Sequence, residues 1–302
     1  MSFSVIITTK DHQSIIERAL KSVSFADEIV VIDLESSDDT VKIAKKYTDK
    51  IYQHKNMGYV EPVRNFSISK AKGDWILIID ADEEVPPELK KVIQSIVNAK
   101  DQDKLPDCFY IPRKNIIFDK WIQKTGWWPD YQLRFFKKGQ VEWSDQIHSV
   151  PITRGEVKEF PAQEKFALLH HNYQKISQFI DRFNRYSSIQ AQERKSDKQI
   201  ESSELIEEFT SSFLRRLFAQ EGLEEGSHGV SLSILQSVSD AAMKMKIWEE
   251  QGFPDKKHDQ GKALKTLFQF KKELTYWLAD AQLKRARGWK KIIWRLRRKL
   301  MV

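Results

Sequence analysis

The chain has 302 residues, enough for one large domain or two modest ones with a substantial core. Hydrophobic residues make up 40% and charged residues 31%, which excludes a disordered chain, and the single cysteine, Cys108, excludes an intrachain disulfide framework. The net charge of +7, with a pI near 9.2, is compatible with nucleic acid, anionic lipid or phosphorylated ligands, so the placement of the charge has to decide among them.

The opening MSFSVIITTKDH has no basic region ahead of an apolar run, and no stretch approaches the ~18 apolar residues of a membrane span. A cytoplasmic protein made without export is expected. The β-branched run over 3–8 predicts a buried strand. Asp11 then stands where a helix N-cap belongs, ahead of Ile15, Ile16, Ala19, Leu20 and Val23 at helical spacing. A second strand over 28–33 ends in Asp33. The turn over 36–40 opens a helix with Val41, Ile43, Ala44 and Tyr47, and a short third strand covers 50–53. A helix is expected over 62–72, closed by Gly73. The fully apolar run over 75–80 is a fourth strand, and Pro86 and Pro87 open a helix reaching Val97.

Strands alternating with helices predict an α/β fold with a mostly parallel, two-sided sheet, whose ligands bind beyond the carboxyl ends of the strands. Polar groups stand at three of those ends: Thr8-Thr9-Lys10-Asp11, Asp33 and Asp80-Ala81-Asp82. From Cys108 the pattern changes to short antiparallel strands over 108–113, 132–137 and 140–143, with Lys137-Lys138-Gly139-Gln140 as a hairpin turn. From about Tyr173 the chain reads helical and charged, broken at Gly222, Gly226, Gly229 and Gly252-Phe253-Pro254. The expected division is a catalytic α/β domain over 1–172 and a helical C-terminal region over 173–302.

The strongest local signal is Asp80-Ala81-Asp82-Glu83-Glu84, where an apolar strand delivers two carboxylates into a turn. Carboxylate oxygens suit Mg²⁺ or Mn²⁺ shared with substrate phosphates. In isolation the same acidic turn also favours the N-terminus of the next helix. Asp33 has the chemistry to accept hydrogen bonds from a base or ribose. Arg64, ahead of the fourth strand, suits a phosphate or a carboxylate of the acidic cluster. Trp127 and Trp128 offer indole faces for a saccharide acceptor, whereas Trp75, Trp121 and Trp143 read as core.

The order SVIITTKD, VVIDLESSDDT, RNFSISKAKGDWILIIDADEE resembles the family 2 glycosyltransferases of GT-A fold, over about residues 3–100. Where that family usually has a proline and an asparagine in its first motif, this chain has Thr8-Thr9-Lys10-Asp11. The segments WWPDYQLRFFKKGQVEWSDQIHS, HHNYQKISQFIDRFNRYSSIQAQE and EGLEEGSHGVSLSILQSVSDAAMKMKIWEE are similar to the WaaE-type β-glucosyltransferases of lipopolysaccharide core. That subgroup typically has His-Glu where this chain has His148-Ser149.

The resemblance implies an inverting transferase that uses a nucleotide-sugar, with UDP as the expected nucleotide. Thr8, Thr9, Asp11, Asp33, Arg64, Asp80 and Ala81 would line the donor site, and Asp82 would hold the metal; separately, neutral imidazole suits Mn²⁺, which makes His148 a candidate further ligand. Inversion needs a base for the acceptor hydroxyl. Asp130, Asp145 and Glu142 are the candidates, and Asp130, four residues before Arg134, matches the family's acceptor-side pattern best. Arg134, Trp127 and Trp128 would then face a saccharide or glycolipid acceptor, such as lipopolysaccharide inner core, a polyprenyl-phosphate or a capsule glycan.

The stretch from Lys284 to Lys299 holds nine basic residues and no acidic one. Trp289, Ile292, Ile293, Leu296 and Leu300 recur within it at helical spacing. This is a basic amphipathic helix suited to an anionic membrane surface, which would place the protein peripherally on the inner face of a bacterial inner membrane. No nucleic-acid-binding module is present, so a non-enzymatic basic binder is the less favoured reading.

Overall fold

The computed structural model describes residues 1–144, 150–194, 198–254 and 260–300. The chain divides into two compact units, Met1–Trp121 with Trp127–Gln174, and Ile122–Gly126 with Lys175–Val302.

In chain order the first unit contains β1 (Phe3–Thr9), α1 (Ile16–Ser22), β2 (Glu28–Asp33), α2 (Thr40–Ala44), β3 (Ile51–Gln53), α3 (Glu61–Lys70), β4 (Trp75–Asp80), β5 (Glu83–Glu84) and α4 (Pro87–Val97). There follow β6 (Cys108–Ile117), β7 (Lys120–Trp121), β8 (Asp130–Lys137), β9 (Val141–Glu142), β10 (Ile152–Thr153), β11 (Val157–Glu159) and β12 (Leu168–Tyr173). The main sheet runs β3-β2-β1-β4-β8-β6-β12-β5. Its β3-β2-β1-β4 half is parallel, and the order turns antiparallel where β8 joins β4 and β6.

The continuous apolar runs of β1 and β4 follow from burial on both faces. Val5, Ile7, Leu77 and Ile79 pack on one side with Ile16, Leu20, Leu89 and Ile93 of α1 and α4. Ile6, Ile76 and Ile78 alternate onto the other side with Val63 of α3. Gly73 allows the approach into β4 to run tightly beside β1, because a Cβ there would lie 2.6 Å from the Ser4 backbone nitrogen.

Three local expectations are corrected. Asp11 does not cap α1: the helix begins at Ile16, Asp11 has a left-handed φ of 50°, and its carboxylate instead accepts from Ser37. The helix expected over 62–72 is α3, one residue earlier, and it ends when Ala71 turns extended, ahead of Gly73. Residues 137–140 do form a turn, with Gln140 N–H donating to Lys137 O, but the strands either side of it do not pair. The sheet partners of β8 are β4 and β6, while β9 joins β10 in a separate two-stranded sheet.

The second unit is helical: α5 (Ile176–Glu193), α6 (Ser202–Leu214), α7 (Ser227–Glu250), α8 (Gln260–Arg285) and α9 (Lys290–Leu300). A π-helical turn, Arg215–Ala219, continues α6 and supplies Leu217 and Phe218 to a small core with Leu214 and Trp277. The segment Ile122–Gly126 is tied into this unit where Thr125 N–H donates to Gln220 O.

Candidate active site

The parallel register sets the expected rim residues side by side. Thr9 of β1 stands opposite Asp33 of β2, and Thr8 of β1 stands opposite Asp80 of β4. All four lie at the carboxyl ends of their strands, and Thr8, Thr9 and Asp33 are buried. Asp33 accepts from Ser36 N–H at 3.2 and 3.3 Å. Asp11 accepts from Ser37 N–H at 2.7 Å and from its hydroxyl at 3.1 Å. That backbone bond is the main reason its carboxyl lies below the usual range, against the upward push of burial. Asp11 thereby ties the loop after β1 to the loop after β2. The Thr8 hydroxyl is buried with no hydrogen-bond partner, so this rim holds a polar atom that its own chain does not satisfy.

Asp80 sits in a cluster of three carboxylates and three guanidiniums. Arg64 Nη2 donates to one of its oxygens at 3.0 Å and Arg134 Nη2 to the other at 2.5 Å. Arg134 also donates to Glu83 at 2.8 Å. Glu83 is fully buried, accepts from Arg113 at 3.3 Å and from the Asp80 backbone N–H at 2.9 Å. Arg113 continues the chain to Asp130, with Nε at 2.9 Å and Nη2 at 2.6 Å. Burial pushes the Asp80 carboxyl upward, but Arg134 and Arg64 outweigh it and hold the group well below the ordinary carboxylate range. The same contest holds Asp130 low: burial raises it, while Arg113, Asn115 and Gln132 lower it further. Arg134, expected on the acceptor side, is 4% exposed and committed to Asp80 and Glu83, so it belongs to this cluster.

Asp82, the next carboxylate along, meets a residue that the sequence alone did not single out. His170 on β12 is buried, and its Nε2 lies 3.5 Å from Asp82 Oδ2. Strand pairing makes the meeting: β5, just after Asp82, runs antiparallel to β12 with His170 opposite Glu83, and His171 N–H donates to Asp82 O at 2.9 Å. The neighbouring His171 pairs with Glu84 at 2.6 Å. A carboxylate oxygen and an imidazole nitrogen form a donor pair suited to Mn²⁺, and less to Mg²⁺, which favours oxygen throughout. Among the described residues no three His, Cys, Asp or Glu side chains are grouped to hold a metal by themselves.

Trp127 and Trp128 are half-buried, the first edge-on to Tyr173 and the second edge-on to Trp121. Glu142 is exposed on β9, with Arg154 3.4 Å from its carboxylate. Asp145 and His148 lie outside the described residues.

Comparison with known proteins identifies the class of protein that carries this rim. Residues 4–155 match glycosyl transferase family 2, and the chain belongs to that family. An uncharacterized glycosyltransferase of Rickettsia typhi is 32% identical over 244 residues, covering 77% of this chain and 82% of the relative. The lipopolysaccharide core biosynthesis glycosyltransferase LpsC of Rhizobium meliloti is 22% identical over 214 residues, covering 67% and 73%. Among solved structures, Staphylococcus aureus TarS 1–349 in complex with UDP aligns at a TM-score of 0.43 and 14% identity, covering 86% of this chain and 95% of that one. The chain is thus a glycosyltransferase whose sheet has the GT-A arrangement of parallel and antiparallel halves.

Proposed function

We propose that the protein transfers a hexose from a UDP-sugar, with inversion, to a lipid-anchored saccharide of the lipopolysaccharide inner-core type at an anionic membrane surface. The observation that carries the donor half of this reading is the in-register rim of Thr8, Thr9, Asp33 and Asp80 beside the Asp82–His170 pair. Asp33 and the threonines would take the nucleoside, with the unpartnered Thr8 hydroxyl supplying a free donor or acceptor. Asp11 would keep the two rim loops in place. Asp80, fixed by Arg64 and Arg134, offers a rigid ionised carboxylate to the ribose or its neighbours. Ala81 is buried between the two aspartates and keeps the turn close to the donor.

Asp82 and His170 would hold Mn²⁺, with His148 as a further candidate. When bound, the ion neutralises charge on the departing diphosphate. Asp130 is the proposed base, with Asp145 as the alternative carboxylate. Asp130 is held ionised beside Arg113, which weakens its basicity, and it would accept the acceptor hydroxyl's proton as the bond to the anomeric carbon forms and the bond from that carbon to the diphosphate breaks. Trp127 and Trp128 would border the acceptor.

The acceptor half rests on the likeness to LpsC and on α9. Trp289, Ile292, Ile293, Leu296 and Leu300 of this segment are exposed, and Lys290, Lys291, Arg295, Arg297 and Lys299 are exposed with them. Among the described residues no helix is long and apolar enough to cross a membrane, so surface attachment is the form that such a segment would take.

A thermal-shift series of UDP-, GDP- and CDP-sugars, each with and without Mn²⁺, tests the donor assignment. A UDP-hexose with Mn²⁺ should raise the melting temperature most, because a ligand that binds only the folded state stabilises it. Asp82→Ala should keep the fold and lose both the Mn²⁺-dependent part of that shift and sugar transfer. Normal transfer by Asp82→Ala would remove the metal assignment.

A further inference from the structure

Asn115 is a fully buried asparagine on β6 whose amide is bonded at both ends. Its Nδ2 lies 3.1 Å from Trp127 O and 3.0 Å from Asp130 Oδ2. A carbonyl and an ionised carboxylate only accept, so chemistry settles which end of this amide is nitrogen. Its Oδ1 therefore faces His170 Nδ1, at 2.6 Å, and Asn172 Nδ2, at 3.4 Å. An amide oxygen only accepts, so His170 carries a proton on Nδ1. In the neutral ring Nε2 then presents a lone pair, and it points at Asp82 Oδ2, 3.5 Å away. These are the two atoms that the proposed function assigns to the metal.

We infer that Asn115 is a positioning residue that couples the two halves of the reaction centre. Its oxygen sets the tautomer of His170 so that Nε2 faces the metal position beside Asp82, and its nitrogen orients the Asp130 carboxylate. Sheet pairing builds the link: Asn115 is opposite His170 across β6 and β12, and Arg113, two residues earlier on the same strand face, is opposite Asp130 across β6 and β8. The outer partners of a metal-bound histidine fix its ring and its basicity, and their loss typically weakens metal binding by about 10–100-fold. This inference rests on the reading of Asp82 and His170 as metal ligands.

The test is Mn²⁺ binding to the full chain in the presence of UDP, followed by electron paramagnetic resonance of free Mn²⁺, alongside kcat. Asn115→Leu removes both ends of the amide and should weaken Mn²⁺ binding by about 10-fold or more, with kcat falling as well. Asn115→Asp keeps an oxygen for His170 Nδ1–H but loses the N–H donors to Asp130 and Trp127. It should bind Mn²⁺ about as tightly as the parent while kcat drops. That separation is what a merely structural amide would not produce. Parent-like Mn²⁺ affinity in Asn115→Leu overturns the inference, and so does a loss of Mn²⁺ affinity in Asn115→Asp that tracks the loss of kcat. Should Asn115→Leu not be recovered folded, the aspartate variant decides alone. Asp82→Ala run in parallel separates the two levels: if it retains Mn²⁺ binding, the ligand assignment itself fails and this inference with it, whereas its loss beside an unchanged Asn115→Leu defeats the role of Asn115 only.

Discussion

Arg113 is the residue through which the acidic cluster and the proposed base share one positive charge. It donates to Glu83, which is wholly buried, and with two nitrogens to Asp130. A carboxyl held low by such a partner contributes stability above its unfolded pKa of about 3.9. That contribution is lost as the pH falls through the still lower folded value. Arg113→Gln removes the charge and leaves burial, which pushes Asp130 upward. The acid limb of the kcat profile should therefore move to higher pH in the variant. The acid loss of stability, followed by urea midpoints between pH 3 and pH 7, should begin at a higher pH as well. Profiles that coincide with the parent in both measurements would show that Arg113 does not govern the Asp130 charge.

At the scale of elements, the site depends on β1 and β4 holding register, since that register places Thr8 opposite Asp80. The approach into β4 passes through Gly73, whose N–H donates to Ser4 Oγ at 2.8 Å. A Cβ at this position would lie 2.6 Å from Ser4 N and 2.9 Å from the Phe3 carbonyl carbon, both backbone atoms of β1 that cannot swing aside. Gly73→Ala should cost about 1–3 kcal/mol, as overpacking of a tight core does. A lower urea midpoint with an unchanged slope checks it, and an unaltered midpoint would mean that β1 shifts freely.

The β1–β4 half of the sheet was legible because its strands are short apolar runs ending in polar residues, a pattern that local sequence carries whole. The meeting of Asp82 with His170 was not. It depends on β12 pairing with β5 across a long stretch of chain, and HHNY on a half-buried strand gives no local sign of its partner. For the same reason the turn over 137–140 suggested a hairpin: a glycine turn between two apolar stretches is a local signal, whereas the choice of β4 and β6 as neighbours of β8 is a tertiary one. Arg113 and Asn115 escaped notice likewise, being polar residues on a strand whose faces are assigned only once β8 and β12 flank it.

For the molecule as a whole, charge is concentrated rather than spread. The segment from Lys284 to Lys299 carries nine positive charges while the complete chain carries +7, so the remainder is slightly negative in net. The net positive charge of the chain therefore comes from the last helical stretch. Within the second unit α9 is held to α8 through Arg298 on Asp280 at 2.6 Å and the same guanidinium over Tyr276. Trp294 lies on that inner side, half-buried under Arg297. The opposite stripe, from Trp289 through Leu296 to Leu300, remains at 40–68% exposure, which an aqueous surface does not reward. Each basic residue near an anionic bilayer contributes roughly 1 kcal/mol, and the apolar stripe adds to that on insertion. Ile292→Glu with Leu296→Glu should therefore abolish co-sedimentation with vesicles rich in phosphatidylglycerol. Because both side chains are solvent-exposed, the melting temperature should stay close to the parent's. Binding by the parent should also weaken on raising the salt from 50 to 500 mM (about one Debye length shortening from ~14 to ~4 Å), and should be far weaker on phosphatidylcholine alone. Equal binding of parent and double variant to the anionic vesicles would remove α9 as the attachment surface.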